Sequence, residues 1–258
     1  MRSEATDGTP VGQPNVIYVT TVGSGDKNGS NWDNAYASND LQTAINAAAA
    51  SNDADASADA QVWVKTGEYT RSATLTLTTK AKVYGGFKGD ETSLASRDVR
   101  IKGMMAFPMS ADRATILNGN GGDFSIVKGG TGATSADTVL NGFTITGGKG
   151  TSQQGGGMAN SSSSPTIENC TFYKNGNNNT AGAGIHNNGS SPVIKNTIFR
   201  ENSTGNSVFG GAIANTASSN PIITGCSFIN NTAHFTGGAI LNKDSSRPVI
   251  TNWHEMSE

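Results

Sequence analysis

The chain has 258 residues and a mass of 26.5 kDa, enough for one domain or a small pair of domains with a buried core. Its 18 Lys and Arg residues nearly balance its 20 Asp and Glu residues, and the net charge of −2 argues against a nucleic-acid partner. Only 15% of the residues are charged, and the 33 glycines with abundant Asn, Ser and Thr favour strands and turns over a helical bundle.

The start of the chain is predicted to lie outside the folded domain. Residues 1–15 contain no apolar segment, so we expect a disordered or expression-derived tail there, without a secretory signal. No apolar run in the sequence reaches the roughly 18 residues that a membrane-spanning helix needs. We therefore expect no membrane span.

Residues 16–60 are predicted to cap the domain. Residues 16–19 form a strand candidate, and Asn39 with Asp40 supplies an N-cap for a helix. The apolar residues of this helix recur at helical spacing: Leu41, Ala44, Ile45 and Ala48. We expect the helix to cover the open end of the strands that follow it, and residues 51–60 to form a solvated loop.

Residues 61–137 are predicted to form irregular coils of the same domain. Four stretches are strand candidates: residues 62–64, 81–87, 116–117 and 124–127. Residues 90–109 are predicted to form a further solvated loop.

Residues 138–258 contain an internal repeat. Similar segments begin at Pro165, Pro192, Pro221 and Pro248, with spacings of 27, 29 and 27 residues. Each repeat holds about three short stretches of alternating apolar and polar residues, separated by Asn, Gly or Ser. Because such short strands cannot stand alone, we predict a solenoid of coils of about 27 residues, each with three parallel strands stacked on the previous coil.

Equivalent residues of successive coils are predicted to stack in inward-facing columns. One column is Leu140, Ile167, Ile194, Ile223 and Ile250; a second is Ile145, Phe172, Phe199 and Phe228; a third is Met158, Ile185, Ile213 and Ile240. The side-chain amides of Asn169, Asn196 and Asn252 are expected to hydrogen-bond from coil to coil at one corner, where Gly225 interrupts them.

The same geometry predicts the state of the two cysteines. Cys170 and Cys226 occupy the same repeat position two coils apart, which separates them by about 9.6 Å. A disulfide needs Cα atoms within about 7 Å of each other. We therefore expect two free, buried thiols.

Several motifs resemble those of a known family. The opening, from Tyr18-Val19 through Leu41-Gln-Thr-Ala-Ile45 to Val83-Tyr-Gly-Gly-Phe87, is similar to that of bacterial pectin-lyase-like right-handed β-helix surface proteins. The Gly-Gly-Ala-Ile tetrads at 210–213 and 237–240, with Phe-x-x-Asn tetrads such as Phe172–Asn175, resemble polymorphic outer-membrane protein repeats. The resemblance implies an all-β, right-handed parallel β-helix with a short N-terminal capping helix. It also implies secretion or display on a bacterial cell surface, associated with the outer membrane.

The last coil departs from the repeat. Glu255 stands where the aromatic column predicts Phe, and the sequence shows nothing that resembles an autotransporter barrel after it. An uncovered final coil would present unpaired backbone groups. End-to-end self-association through this coil is therefore one expectation for this chain.

Two pairs of outward-facing residues are the candidate ligand-binding positions. Glu168 and Lys195 neighbour each other in one outer column and are expected to form a surface ion pair of little energetic value. Tyr173 and Arg200 neighbour each other in another and are suited to stacking on a sugar or pairing with an acidic group.

No catalytic set, metal site or cofactor site is predicted. A hydrolase on this scaffold would need facing carboxylates, and a lyase would need clustered aspartates with a basic residue. Carboxylates that could hide such a site in the irregular part are Asp98, Asp112, Asp123 and Asp137. His186 and His234 are predicted to be turn residues.

The sequence favours a non-catalytic, surface-displayed β-helix segment that acts as an adhesin or a stalk binding carbohydrate or a host surface. Two alternatives stay open: a polysaccharide lyase or glycoside hydrolase acting on an acidic polysaccharide, and a self-associating structural surface protein.

Overall fold

A computed structural model describes residues 15–55, 57–97, 114–151, 155–177, 181–205 and 210–256. Of the predicted tail, only Asn15 lies among the described residues. The described strands are β1 (Val16–Val19), β2 (Gln61–Lys65), β3 (Gly67–Thr70), β4 (Leu75–Leu77), β5 (Lys82–Phe87), β6 (Thr115–Gly122), β7 (Val127–Gly129), β8 (Val139–Asn141), β9 (Phe143–Gly148), β10 (Met158–Ser161), β11 (Thr166–Glu168), β12 (Thr171–Tyr173), β13 (Gly176–Asn177), β14 (Ile185–Asn188), β15 (Val193–Lys195), β16 (Ile198–Arg200), β17 (Ser203–Thr204), β18 (Ile213–Thr216), β19 (Ile222–Thr224), β20 (Ser227–Ile229), β21 (Ile240–Asn242), β22 (Val249–Thr251) and β23 (His254–Met256).

The strands form three long parallel sheets. Sheet 1 has the order β1-β2-β5-β8-β11-β15-β19-β22, sheet 2 has β4-β7-β10-β14-β18-β21, and sheet 3 has β3-β6-β9-β12-β16-β20-β23. A short pair, β13 and β17, lies beside them. The chain visits the three sheets in turn and adds one coil with each circuit, so the predicted all-β parallel β-helix is confirmed.

The predicted core columns are also confirmed. Ile167, Ile194, Ile223 and Ile250 are direct register partners in sheet 1. In sheet 3, the ring centroids of Phe172 and Phe199, and of Phe199 and Phe228, lie 5.2 Å apart with nearly parallel planes. These rings are buried, so the repeat places one apolar side chain above the next along the axis of the coil.

The helix α1 (Leu41–Ala54) packs against β1, β2, β4 and β5 at the N-terminal end, as predicted. It also supplies hydrogen-bond partners to β4, the edge strand of sheet 2. The Thr76 N–H donates to Oε1 of Gln42 (2.7 Å), and Nε2 of Gln42 donates to the Thr76 carbonyl oxygen (3.0 Å). The capping prediction is correct only in position. Asp40 is the N-cap residue, but its side chain makes no capping hydrogen bond.

The prediction that residues 51–60 form a solvated loop is wrong for residues 51–54, whereas residues 55 and 57–60 lie outside helices and strands. The helix continues to Ala54, and the buried Asn52 bonds to the carbonyl oxygens of Ala60 (2.9 Å) and Lys80 (3.0 Å) through Nδ2. Composition cannot reveal that Asn52 is buried, because burial of a polar side chain is favourable only where other groups, here two distant backbone carbonyls, form hydrogen bonds with it.

The irregular coils differ in detail from the sequence prediction. Predicted strands 62–64 and 116–117 lie within β2 and β6, residues 82–87 of predicted strand 81–87 form β5, and only Val127 of residues 124–127 is part of a strand. The described part of the 90–109 loop contains a short 3-10 helix, Leu94–Ser96, and a buried Glu91. Residues 98–109 lie outside the described residues.

The predicted ladder of corner amides is wrong in its position. Asn169, Asn196 and Asn252 adopt left-handed backbone conformations, with φ of 52°, 45° and 50°, and serve as turn residues. Asn169 makes one bond of the predicted kind, because its Nδ2 donates to Oδ1 of Asn141 in the previous coil (3.4 Å), but no bond joins these three described amides to one another. The amide ladders are instead formed by two other sets, which are buried except at their last members: Asn160, Asn187, Asn215 and Asn242 in sheet 2, and Asn175, Asn202 and Asn231 after sheet 3. In each set, every amide except the last donates to the equivalent side chain of the next coil, with distances of 2.8–3.1 Å.

Both cysteines are free and buried, which confirms the prediction. Burial raises the pKa of the Cys170 thiol to about 12 and that of Cys226 to about 11. Among the described residues, no helix has the length and apolar character needed to cross a bilayer.

Candidate functional site

The structure places the predicted pair Glu168 and Lys195 side by side on the outer face of sheet 1. Both residues are described, but no ion pair joins them in this part of the chain. Glu168 instead accepts a hydrogen bond from Nδ2 of Asn141 (3.1 Å), and Oδ1 of Asn141 accepts one from Nη2 of Arg97 (2.9 Å). The predicted surface ion pair is therefore replaced by a chain of hydrogen bonds that ends on a guanidinium.

Tyr173 and Arg200 are neighbours on the outer face of sheet 3, as predicted. Arg200 already has a charge partner, because its Nε lies 2.7 Å from Oε1 of Glu201. The ammonium of Lys174 lies 5.1 Å from the centre of the Tyr173 ring and 3.5 Å from Oε2 of Glu201. Any acidic ligand at this position would have to compete with the Glu201 carboxylate.

The two predicted pairs do not form one site. The tight corner at Asn169 and Cys170 separates β11 from β12, so the pairs face outward from two different sheets.

The carboxylates considered for catalysis do not converge within the described residues. Asp123 is exposed in the turn after β6, and Asp137 lies in the turn before β8, where its Oδ1 accepts from the hydroxyl of Thr138 (2.8 Å). Asp98 and Asp112 lie outside the described residues. In the part of the chain that the structure describes, no group of three or more His, Cys, Asp or Glu side chains could hold a metal ion.

A groove of about 440 Å3 lies on the outer face of sheet 2, and we call it the sheet 2 groove. It crosses four neighbouring strands, β4, β7, β10 and β14. Its lining residues are Thr76, Lys128, Gly129, Gly130, Thr131, Ala159, Asn160, Ser161, His186 and Asn188.

Strand register arranges the lining of this groove. Thr76, Lys128, Ala159 and His186 are successive partners in one outward column. Ala159 has the smallest side chain of this column and lies between Lys128 and His186, which leaves a low floor between two larger side chains. Ser161 and Asn188, also partners, form a second polar row beside it.

His186 lies in β14, so the prediction that it is a turn residue is wrong. The residue is buried, and its Nε2 lies 3.0 Å from the hydroxyl oxygen of Thr216 in the next coil. This contact orients the ring from outside the groove.

Two buried acceptors without a partner lie beside the groove. Oδ1 of Asn160 and Oγ of Ser163 begin the amide ladder and a parallel serine ladder, and neither has a hydrogen-bond partner. The register partner of Asn160 in the previous coil is Gly129, which offers no side-chain donor. A Cβ on Gly129 would collide with Oγ of Ser163 and lie 2.7 Å from Oδ1 of Asn160, so a larger residue here would displace these two side chains.

Sequence reasoning missed this groove. Alternation alone would have placed His186 outward, because it follows the inward Ile185. The register that makes Lys128 a partner of Ala159, and Ala159 a partner of His186, depends on the lengths of the irregular coils. These lengths could not be predicted, because the irregular coils show no repeat in the sequence.

Residues 112–254 match the family model described as "right handed beta helix region", which covers more than half of the chain. The chain therefore belongs to this right-handed β-helix family, whose domains are common in surface proteins and in polysaccharide-acting enzymes. None of the curated proteins and none of the solved structures compared with the chain matches it. The family match supports the predicted handedness, and the narrower resemblance to pectin-lyase-like proteins and outer-membrane repeats stays a prediction.

Proposed function

We propose that the protein is a non-catalytic carbohydrate-binding β-helix and that the sheet 2 groove is its binding site. The observation that carries the proposal is the composition of the groove, whose side chains offer hydroxyl, amide, ammonium and imidazole groups around a low floor at Ala159. Sugars are recognised by such polar groups when these are held in place on a rigid scaffold.

The direction of the groove supports this ligand class. The groove runs across the strands, so equivalent positions repeat at the inter-strand spacing of about 4.8 Å. A monosaccharide unit of an extended polysaccharide has a similar length, so successive sugars can meet successive coils.

A polysaccharide lyase or glycoside hydrolase is the second candidate. The family contains such enzymes, and the exposed Lys128 of the groove is the candidate base. Binding is preferred because the described lining residues include no carboxylate, whereas hydrolysis uses a pair of them.

The proposal is tested by titrating the protein with a panel of neutral and acidic polysaccharides in a calorimeter. Ala159→Trp fills the groove floor and is expected to weaken binding by more than about tenfold. Thr251→Trp adds the same side chain to the exposed outer face of sheet 1 and should leave binding unchanged. Equal affinities of the two variants would refute the site, and so would the absence of binding to any polysaccharide in the panel.

The same mixtures distinguish binding from catalysis. Unsaturated products would reveal a lyase, and new reducing ends would reveal a hydrolase. Turnover that disappears on substitution of Asp123, Asp137 or Lys128 would replace the binding proposal by the enzyme.

Secretion or display on a bacterial surface, implied by the sequence resemblance, is part of the proposal. Cell fractionation with added protease tests it, since a displayed protein is degraded in intact cells.

A further inference from the structure

The outer face of sheet 1 is divided into a covered and an open part. One column on this face runs Tyr18, Trp63, Tyr84, Asn141, Glu168, Lys195, Thr224, Thr251 in continuous register. Its first residues are covered by side chains from the protein's own loops. The Trp32 ring lies 4.7 Å from that of Tyr18, and the guanidinium of Arg97 lies 5.3 Å from the centre of the Tyr84 ring.

The covered part still includes Asn141 in β8, which is buried beneath Arg97. The face is open beyond Asn141, and there a mostly apolar column runs beside the polar one. This second column is Val139, Thr166, Val193, Ile222 and Val249. Ile222 is 47% exposed and Val249 is 58% exposed, although both are large and β-branched. A row of such side chains on the outer face of a sheet is typical of a surface that packs against another sheet.

The charges of the open part are self-complementary. Glu168 and Lys195 are adjacent in the column, and among the described residues Lys195 has no carboxylate partner. Two copies can be related by a two-fold axis that is parallel to the strands and passes between β11 and β15. This axis reverses the order of the coils in the second copy, but each column of one copy still faces the same column of the other. Glu168 of one copy then faces Lys195 of a second copy, and the reverse pair forms at the same time.

The same axis pairs the apolar column. Thr166 faces Val193 of the second copy, and Val139 faces Ile222 of the second copy. An axis parallel to the coil axis would instead place the apolar column against the polar one, which leaves the charges without partners. The charge pattern thus selects one arrangement of the two copies.

We propose that two copies of this chain associate face to face through the open part of sheet 1, with antiparallel coil axes and Glu168 of each copy paired with Lys195 of the other. The overlap extends over four coils, about 20 Å along the axis, which places the contact among small interfaces that form weak, concentration-dependent dimers. This surface lies on a different sheet from the sheet 2 groove, so both copies keep the groove open.

The test is sedimentation velocity of the full chain over a wide range of concentrations. Glu168→Lys places two cations opposite each other in the dimer, and Lys195→Glu places two anions opposite each other. Because like charges repel, each variant is expected to raise the dimer dissociation constant by more than about tenfold. The double variant E168K/K195E exchanges the two charges and should restore dimerisation to near the original level. Lys149→Glu, an equal change of charge away from sheet 1, is expected to have no effect.

Ile222→Ser provides a second, uncharged test and should also weaken the dimer, because it removes an exposed apolar contact without disturbing the core. Thermal melting shows whether each variant is folded. A protein that is monomeric at every concentration would overturn the proposal. So would a dimer that persists in both single charge variants, which would locate the contact elsewhere, for example at the last coil, or a double variant that fails to restore association.

Discussion

The coils before and after residue 138 belong to the same three sheets but are held together in different ways. In the earlier coils, each stabilising contact is used once: Trp63 stacks on Phe87 at 4.6 Å, Arg97 bonds the carbonyl oxygen of Gly85 at 2.9 Å, and Asn52 joins two distant backbone carbonyls. In the later coils, the same contacts recur with each turn, as in the phenylalanine column and the asparagine ladders.

This difference shows that the same coil backbone can be stabilised in two ways. A repeated side chain fixes the register because it meets its own copy above and below, so one rule serves every coil. An irregular coil needs a separate partner for each exposed strand edge or buried polar group. The irregular part can therefore vary its loops and its outer faces, and it contributes Thr76 and Lys128 to the sheet 2 groove.

The strongest expected effect is in the repeated column. Phe199→Ala removes the ring that stacks on both Phe172 and Phe228, and we expect it to lower the free energy of unfolding by about 4 kcal/mol. Urea denaturation measures this loss. Phe199→Leu keeps most of the volume and should cost about 1.5 kcal/mol. Similar small losses for both substitutions would show that the column does not hold the regular coils together.

The amide ladder provides the next comparison. Asn202 is buried, and its side chain bonds to Asn175, Asn231 and the carbonyl oxygen of Phe172. Asn202→Ala leaves these groups without partners, and we expect a loss of about 3 kcal/mol in a chemical denaturation experiment.

Asn196→Gly is the matched control for the ladder, since Asn196 is exposed and its left-handed backbone suits glycine. It should change stability by less than about 1 kcal/mol. A larger loss of stability for Asn196→Gly than for Asn202→Ala would show that the stabilising amides are those at the corner, as the sequence analysis predicted.

A smaller effect is expected for a contact that is used only once. Arg97 donates to Gly85 and Asn141 and lies over Tyr84, and burial lowers its pKa to about 10. Arg97→Ala is expected to cost about 2 kcal/mol, and Arg97→Lys to recover only part of this loss because an ammonium cannot keep both bonds and the ring contact. Differential scanning calorimetry measures both variants. Full recovery by lysine would show that charge alone is needed.

The smallest effect depends on pH. Burial opposes ionisation of Glu91, but hydrogen bonds from the N–H groups of Lys88, Gly89 and Asp90 outweigh it and lower its pKa below the ordinary value of 4.5. The stabilisation by the carboxylate is therefore complete above this ordinary value and is lost as the pH falls through the lower, folded-state pKa.

Glu91→Gln should accordingly be less stable than the natural protein at neutral pH, with a difference that shrinks as the solution is acidified. Thermal melts over an acidic pH series measure it. A difference that stays constant with pH would mean that the carboxylate charge has no part in holding the loop.

The regular coils were predictable because alternation and spacing act locally. The period of about 27 residues and the inward columns follow from side chains that repeat in phase, and the free thiols follow from counting coils. The irregular coils were less predictable. The structure extends α1 to Ala54, and the polar residues 51–53 concealed this extension because Asn52 is buried by partners that lie 8 and 28 residues further along the chain.

For the candidate sites, the sequence identified neighbours within the repeat but not their remaining contacts. It placed Glu168 beside Lys195 and Tyr173 beside Arg200, which the register confirms. It could not show that Glu201 engages Arg200, because this contact depends on the left-handed conformation of Glu201 at the corner.

The sequence by itself thus determined the solenoid, its core columns and the reduced state of its cysteines, because these depend on residues that repeat along the chain. The tertiary structure alone decided which asparagines form ladders, because only the strand register shows which amides meet their equivalents in the next coil. It also decided where Lys128, Ala159 and His186 meet, because residues of separate coils become neighbours only after the length of every intervening loop has set the register.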